Sequence, residues 1–167
     1  YQAQVSTDSF QTVNFSSRTK NLSVLFGTGG AGNGLDANTT HYFRVQAVGW
    51  ANDPSTFTVI QSSITDPATP GAPSFAAVEL SSINFQWTRN GNHGQSDFTA
   101  EVSTDNFVTL NFSSGTKNLS VVFGSGGAGN ALDANTTHYF RVKTAGWAGQ
   151  SSTFTVVQST ITDPGTP

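Results

Sequence analysis

Alternation of apolar and polar residues with a period of two is the main pattern of this sequence. The runs that follow it are 83–87, 98–102, 119–123, 138–144 and 154–156. Such alternation places apolar side chains on one face of a β-strand. Turn-forming stretches such as 89–94 separate the runs, and no segment has a capped apolar stripe at helical spacing. The pattern predicts an all-β protein built from antiparallel sandwiches.

The chain also contains a long internal repeat. Residues 1–70 align without a gap with residues 98–167, and roughly 50 of the 70 pairs are identical. One full unit spans 71–167, a length typical of a domain, and the first copy lacks the counterpart of 71–97. We therefore predict a partial unit at 1–66, a proline-rich linker at 67–73 and a complete unit at 74–163. Residues 164–167 begin a further linker.

Composition narrows the range of functions. Charged residues make up 10% of the chain, the net charge is −3, and cysteine and methionine are absent. A nucleic-acid partner would require a basic face, and a membrane-spanning helix would require about 18 consecutive apolar residues. The sequence has neither feature. We therefore expect no nucleic-acid partner and no membrane insertion.

Several segments of the second unit resemble a fibronectin type III domain. Segments 70–75, 82–87 and 98–104 resemble its strands A, B and C, and 132–142 resembles its E–F corner and strand F. The resemblance implies tandem immunoglobulin-like sandwiches, the first of which lacks strands A and B. It implies a core position for Trp87. The corner positions are Leu35, His41, Leu132 and His138, and histidine stands where the family has tyrosine.

The wider pattern is similar to repeats of large bacterial surface proteins. This resemblance implies an extracellular or cell-surface location for the chain. The two corner histidines are each surrounded by apolar strand residues. We expect His41 and His138 to donate hydrogen bonds to the backbone in place of the tyrosine hydroxyl.

A glycine-rich string occurs once in each unit. It includes Gly29 and Gly30 in the first unit and Gly126 and Gly127 in the second. A dinucleotide site would need a helix after the glycines, whereas a predicted strand follows here. The glycines therefore indicate a loop with positive φ or close packing. Their repetition reflects either shared folding or a shared interface contact.

Trp50 and Trp147 follow strand F in the two units and are candidates for contact with a ligand or another protein. An aromatic side chain in a loop can stack on a sugar ring or anchor a partner, or it can cover the end of its own sandwich. Four sequons are candidates for exposed glycosylation sites. They begin at Asn21, Asn38, Asn118 and Asn135.

No motif predicts catalysis, a cofactor or a metal site. The two glutamates fall in predicted strands, and the aspartates do not follow a calcium-loop pattern. We therefore expect a non-enzymatic structural repeat of an extracellular or surface protein. Its copies would self-associate into a filament or an extended stalk. The alternatives are a spacer module of a secreted carbohydrate-active enzyme, or an adhesin arm whose loops bind a glycan or a surface ligand.

The first unit is incomplete, and the sequence does not show which residues complete it. Without strands A and B, one face of its sandwich would stand open to water. Either residues that precede Tyr1 in a longer chain complete this unit, or another chain supplies equivalent strands.

Overall fold

The computed structural model describes residues 1–27 and 34–165, which form two units, Tyr1–Thr65 and Asp66–Pro167. All regular elements of the described residues are β-strands, joined in antiparallel pairs. In this part of the chain, no helix has the length and apolar character needed to cross a membrane. The prediction of an all-β, antiparallel fold is confirmed.

Unit 2 is a two-layer sandwich. Its strands are β5 (Gly71–Val78), β6 (Ser82–Thr88), β7 (Asp97–Ser103), β8 (Phe112–Thr116), β9 (Ser120–Gly124), β10 (Thr137–Ala145) and β11 (Gln158–Ile161). One sheet has the order β5-β6-β9 and the other β11-β10-β7-β8. The last five residues before β5 belong to this unit, and β5 includes residues 71–73 of the predicted linker.

The core of unit 2 lies between the two sheets. Ile83, Phe85 and Trp87 of β6 are buried, as the alternation predicts, and pack in one cluster with residues of β7 and β10. The Phe85 ring lies 5.3 Å from the Phe140 ring across the sandwich. Burial of a large apolar side chain contributes about 1.5–3 kcal/mol, so each of these buried rings stabilises the unit by an amount of this order.

Unit 1 contains one of these two layers. Its strands are β1 (Gln2–Ser6), β2 (Phe15–Arg18), β3 (Thr40–Gln46) and β4 (Gln61–Ile64), in the order β2-β1-β3-β4. The register repeats between the units, because Val5 pairs with Phe43 as Val102 pairs with Phe140. The single sheet corresponds to the β8-β7-β10-β11 sheet of unit 2. Unit 1 therefore lacks strands A and B, as predicted.

Candidate functional site

The glycine-rich loop of unit 2 folds back on the strand that precedes it. The backbone N–H of Ala128 donates to the carbonyl of Val122 at 2.6 Å. A Cβ at position 127 would collide with that same carbonyl, and one at position 129 would collide with the Phe112 ring. Glycine at positions 127 and 129 thus has structural causes, namely close approach at both positions and a positive φ at Gly129.

The tip of this loop remains accessible. Gly126 and Gly127 are exposed, and Gly126 has a φ of 82°. Open space surrounds the position of a Cβ on Gly126. A partner could reach these two residues, although the internal packing already explains the glycine at position 127. Gly29 and Gly30, the counterparts in unit 1, lie outside the described residues.

The two tryptophan loops differ in what surrounds the indole. The Trp147 ring packs edge-on against His93, with ring centroids 4.8 Å apart, and is 40% exposed. Trp50 is fully exposed at 104%. It borders a hollow of about 440 Å³ that Tyr1 and Lys20 also line. Trp50 is the more accessible of the two candidate contact residues.

The corner histidines bind the backbone. His138 Nε2 lies 3.4 Å from the carbonyl oxygen of Asp133, and His41 Nε2 lies 3.3 Å from that of Asp36. A carbonyl oxygen can only accept, so the imidazole N–H is the donor in both cases. Both rings are buried, as is Leu132, whereas Leu35 is half-buried. Each imidazole thus links its strand to the turn that precedes it.

In each unit, a threonine hydroxyl donates a hydrogen bond to the same backbone carbonyl that the corner histidine contacts. This threonine was not identified from the sequence. Thr162 Oγ1 donates to the carbonyl of Asp133 at 2.6 Å, and Thr65 Oγ1 donates to that of Asp36 at the same distance. The signal in the sequence was the repeated string ITDP at both positions. This bond ties the last strand of each unit to its corner. The corner is a structural feature in which both imidazoles are buried, and His138 Nδ1 is buried without a hydrogen-bond partner.

The proline-rich segment before β5 is held by a side chain of the B–C loop. Asn92 Oδ1 accepts from the Ala68 N–H at 2.9 Å, and Asn92 Nδ2 donates to the Ala68 carbonyl at 2.8 Å. Thr144 Oγ1 donates to the same carbonyl at 2.8 Å. Asn92 is buried. The segment is thus fixed to unit 2 by an amide clamp that the sequence did not reveal.

One arginine in each unit is held between two phenylalanine rings. The Arg141 guanidinium lies 3.9 Å from the Phe107 ring centre and 4.0 Å from that of Phe154. Its Nη2 also forms a salt bridge to Glu101 at 2.7 Å. In unit 1, Arg44 lies between Phe10 and Phe57 in the same way, with Gln4 as its acceptor. These cations stabilise the outer face of the sheet and are already paired.

One aspartate in each unit accepts hydrogen bonds in the loop after β1 or β7. Bonds from the backbone and hydroxyl of Thr12 and the hydroxyl of Ser6 lower the pKa of Asp8 from 3.8 to about 2. Bonds from the hydroxyl and backbone of Thr109 lower the pKa of Asp105 to about 2. Both carboxylates thus close a turn. Among residues 1–27 and 34–165, no three acidic, histidine or cysteine side chains are grouped to hold a metal.

The last strand of each unit presents an uncharged, apolar edge. We use the name apolar edge for residues 59–64 of unit 1 and 156–161 of unit 2. Val59 and Val156 are 81% and 80% exposed, and β4 and β11 are the outermost strands of their sheets. The surrounding segments 55–65 and 152–162 contain neither proline nor a charged residue. The repeated string STFTV in the sequence could have indicated this surface.

The sequon asparagines differ in accessibility. Asn21, Asn118 and Asn135 are exposed, and a glycan could be attached at each of them. Asn38 is fully buried, so the expectation of an exposed acceptor at this position does not hold. Its identical counterpart Asn135 shows that the environment, not the tripeptide, decides the exposure.

Solved structures with a similar fold include fibronectin type III domains. A two-domain fibronectin type III segment from chicken tenascin matches 79% of this chain and 69% of its own length, with a TM-score of 0.54 and 13% identity. The sixth such domain of human fibronectin type III domain containing protein 3 matches 63% of this chain and 93% of its own, with a TM-score of 0.49 and 16% identity. No family model and no curated protein matches the sequence. The resemblance expected from the sequence is confirmed at the level of the fold.

Proposed function

We propose that this chain, which consists of fibronectin type III folds in tandem, is a non-enzymatic structural module of an extracellular or cell-surface protein. Its copies associate into a filament or an extended stalk. The observation that carries this proposal is the apolar edge, which recurs at the same positions in both units. The repeated domain supplies length, and the edge supplies the contact between copies.

The chemistry of the edge supports self-association. An outermost strand has backbone N–H and C=O groups without a partner on one side, and proteins usually protect such strands with lysine, proline or a bulge. Neither 55–65 nor 152–162 contains lysine or proline. Val59 and Val156 add exposed apolar surface next to these backbone groups. A strand of another copy would satisfy the backbone groups and bury the valines.

The experiment compares assembly of the purified chain with that of an edge variant. Sedimentation velocity at rising concentration and electron microscopy would show oligomers and filaments of the unmodified chain. The double variant Val59→Lys, Val156→Lys should remain monomeric, because a charge at each edge opposes strand pairing. Val108→Lys is the matched control, since Val108 is 85% exposed and lies in the loop between β7 and β8, outside the apolar edge. A chain that stays monomeric at every concentration would refute the filament.

A second candidate function is ligand binding by the Trp50 loop. Trp50 and Tyr1 border the same 440 Å³ hollow, and aromatic rings with polar tips suit a sugar ring or a partner side chain. A glycan array tests this function with Trp50→Ala and, as the matched loop variant, Trp147→Ala. Glycan binding that is lost in the first variant and kept in the second would favour it. An array without any bound glycan would count against it.

A further inference from the structure

The two described sheets of unit 2 end in four edge strands, and the three-stranded sheet has both of its edges protected. β5 contains Pro73, which has no backbone N–H, and its register with β6 is interrupted twice. β9 is covered by the glycine-rich loop, because the Val122 carbonyl accepts from the Ala128 N–H at 2.6 Å. Proline, bulges and covering loops are the usual means of preventing one sheet edge from pairing with another. The three-stranded sheet is therefore a poor partner for a strand of another copy.

The four-stranded sheet ends in β8 on one side and in β11 on the other. Lys117 follows β8 directly, and the corresponding strand of unit 1, β2, contains Arg18. Such a cation at an edge opposes strand pairing, since pairing would remove its charge from water. By contrast, no charged residue occurs in 152–162, and Asp163 lies beyond the edge, where its N–H donates to the Glu79 carbonyl. In the described part of unit 2, β11 is thus the edge strand that neither proline, loop nor adjacent charge protects.

The outer side of β11 presents both backbone groups and apolar side chains. The Thr162 N–H donates to the Thr136 carbonyl at 3.1 Å, so the backbone groups of the even-numbered residues face β10. Because these groups alternate along a strand, the N–H and C=O groups of Ser159 and Ile161 face away from β10. The Ile161 side chain is 55% exposed, and Val157, the residue before β11, is 36% exposed. A second strand laid along this side would meet all of these groups.

We infer that the partner of the apolar edge of unit 2 is the same edge of a second copy, paired antiparallel about a two-fold axis at Ser159. This inference rests on the proposed function and specifies the contact through which the copies associate. The other edges of unit 2 are protected, whereas two copies of this edge meet without charge repulsion. The symmetry places Val157 opposite Ile161 of the second copy, and the reverse. Moving the axis by one residue would place Val157 or Ile161 opposite Ser159 instead, so apolar contact selects this register.

The apolar edge of unit 1 allows the same pairing. With the axis at Ser62, Ile60 lies opposite Ile64 of the second copy, and Ile60 is 41% exposed. A two-fold contact uses the same surface on both copies, so one edge joins two chains and no more. Each chain carries two apolar edges. Pairing at both edges therefore extends the assembly from copy to copy, whereas pairing at one edge stops at a dimer.

The first test uses cysteine cross-linking of the full chain, which has no cysteine of its own. A residue on the two-fold axis lies opposite itself, at the Cα distance of about 5.5 Å of a hydrogen-bonded antiparallel pair, which a disulfide can span. With oxidised glutathione, Ser159→Cys and Ser62→Cys should each form covalent dimers. The matched control is Ser113→Cys, an exposed serine of the opposite edge strand β8. It should react slower by roughly tenfold or more, because its thiols meet only by diffusion.

The second test follows the single variant Val59→Lys, which keeps only the edge of unit 2, by sedimentation velocity. It should form dimers and nothing larger. Larger species of this variant would overturn the inference, as would equal cross-linking rates of Ser159→Cys and Ser113→Cys in a chain that assembles. Disulfides that form only when these two variants are mixed would identify β8 as the partner strand and also overturn it. In these three cases the proposed function stands, whereas an unmodified chain that stays monomeric refutes both.

Discussion

The indole of Trp147 meets the imidazole of His93 edge-on, at a ring distance of 4.8 Å and an interplanar angle of 63°. Trp50, at the same position of the other unit, has no counterpart of this histidine. The shared string Gly-Trp-Ala therefore has an aromatic partner in unit 2, whereas in unit 1 its tryptophan is fully exposed. This difference makes the two tryptophans a matched pair for measuring what the contact contributes.

Removal of the imidazole should expose Trp147 and weaken unit 2. We expect His93→Ala to lower the free energy of unfolding by about 1 kcal/mol, because an aromatic pair contributes about 0.5–1.5 kcal/mol beyond its buried area. Tryptophan emission should shift to longer wavelength. Trp50→Ala should leave the unfolding free energy unchanged when both variants are followed by urea denaturation. If His93→Ala and Trp50→Ala lowered the free energy of unfolding equally, the contact between His93 and Trp147 would not stabilise unit 2.

The glycine loop provides a second comparison. Gly127→Ala should destabilise unit 2 by about 1–3 kcal/mol, because the new methyl group would overlap the Val122 carbonyl and force the backbone to move. Gly115→Arg should be neutral, since open space surrounds position 115 and the repeat carries Arg18 there. Thermal unfolding by circular dichroism measures both. A neutral Gly127→Ala would show that the loop is not packed against β9.

Acid should weaken both units through Asp8 and Asp105. Their pKa values are lowered from 3.8 to about 2 by hydrogen bonds in the folded state. A lowered pKa means that the contribution to stability is present above pH 4 and is lost as the pH falls from 4 to 2. Urea denaturation along this range should show the decline. The double variant Asp8→Asn, Asp105→Asn should show a flatter profile, and an unchanged profile would refute the role of these carboxylates.

The side chain of Asn92 should be needed to hold the proline-rich segment in place against unit 2. Asn92→Ala leaves the partly buried Ala68 N–H without its partner and should cost about 1 kcal/mol, the usual net contribution of one hydrogen bond. Hydrogen exchange at Ala68 should become faster. Gln95→Ala, in the same loop and exposed, is the control and should change neither quantity. Slow exchange at Ala68 in Asn92→Ala would show that other contacts hold the segment.

Much of the fold could be predicted from the sequence because its causes are local. Alternation with a period of two identified the strands that hold Phe85, Trp87 and Phe140, since a strand turns successive side chains to opposite faces. The repeat identified the two units and the missing strands of the first. None of these inferences required a partner distant in sequence.

The amide clamp and the position of the apolar edge could not be predicted from the sequence, because both result from the tertiary structure. Asn92 reaches Ala68 and Thr144 across 24 and 52 residues of sequence, and a loop asparagine gives no local sign of such partners. Val156 is 80% exposed and lies two residues before β11, the outermost strand of its sheet. The buried Asn38 and the exposed Asn135 likewise have the same neighbours in sequence and different neighbours in space.

The segments 21–27 and 118–124 show this division most directly. Their sequences, NLSVLFG and NLSVVFG, determine by themselves that both have an apolar, strand-compatible pattern. Only the second forms a strand, because β6 is present to receive its backbone hydrogen bonds. A strand needs a neighbour to be stable, and the neighbour is part of the tertiary structure rather than of the segment.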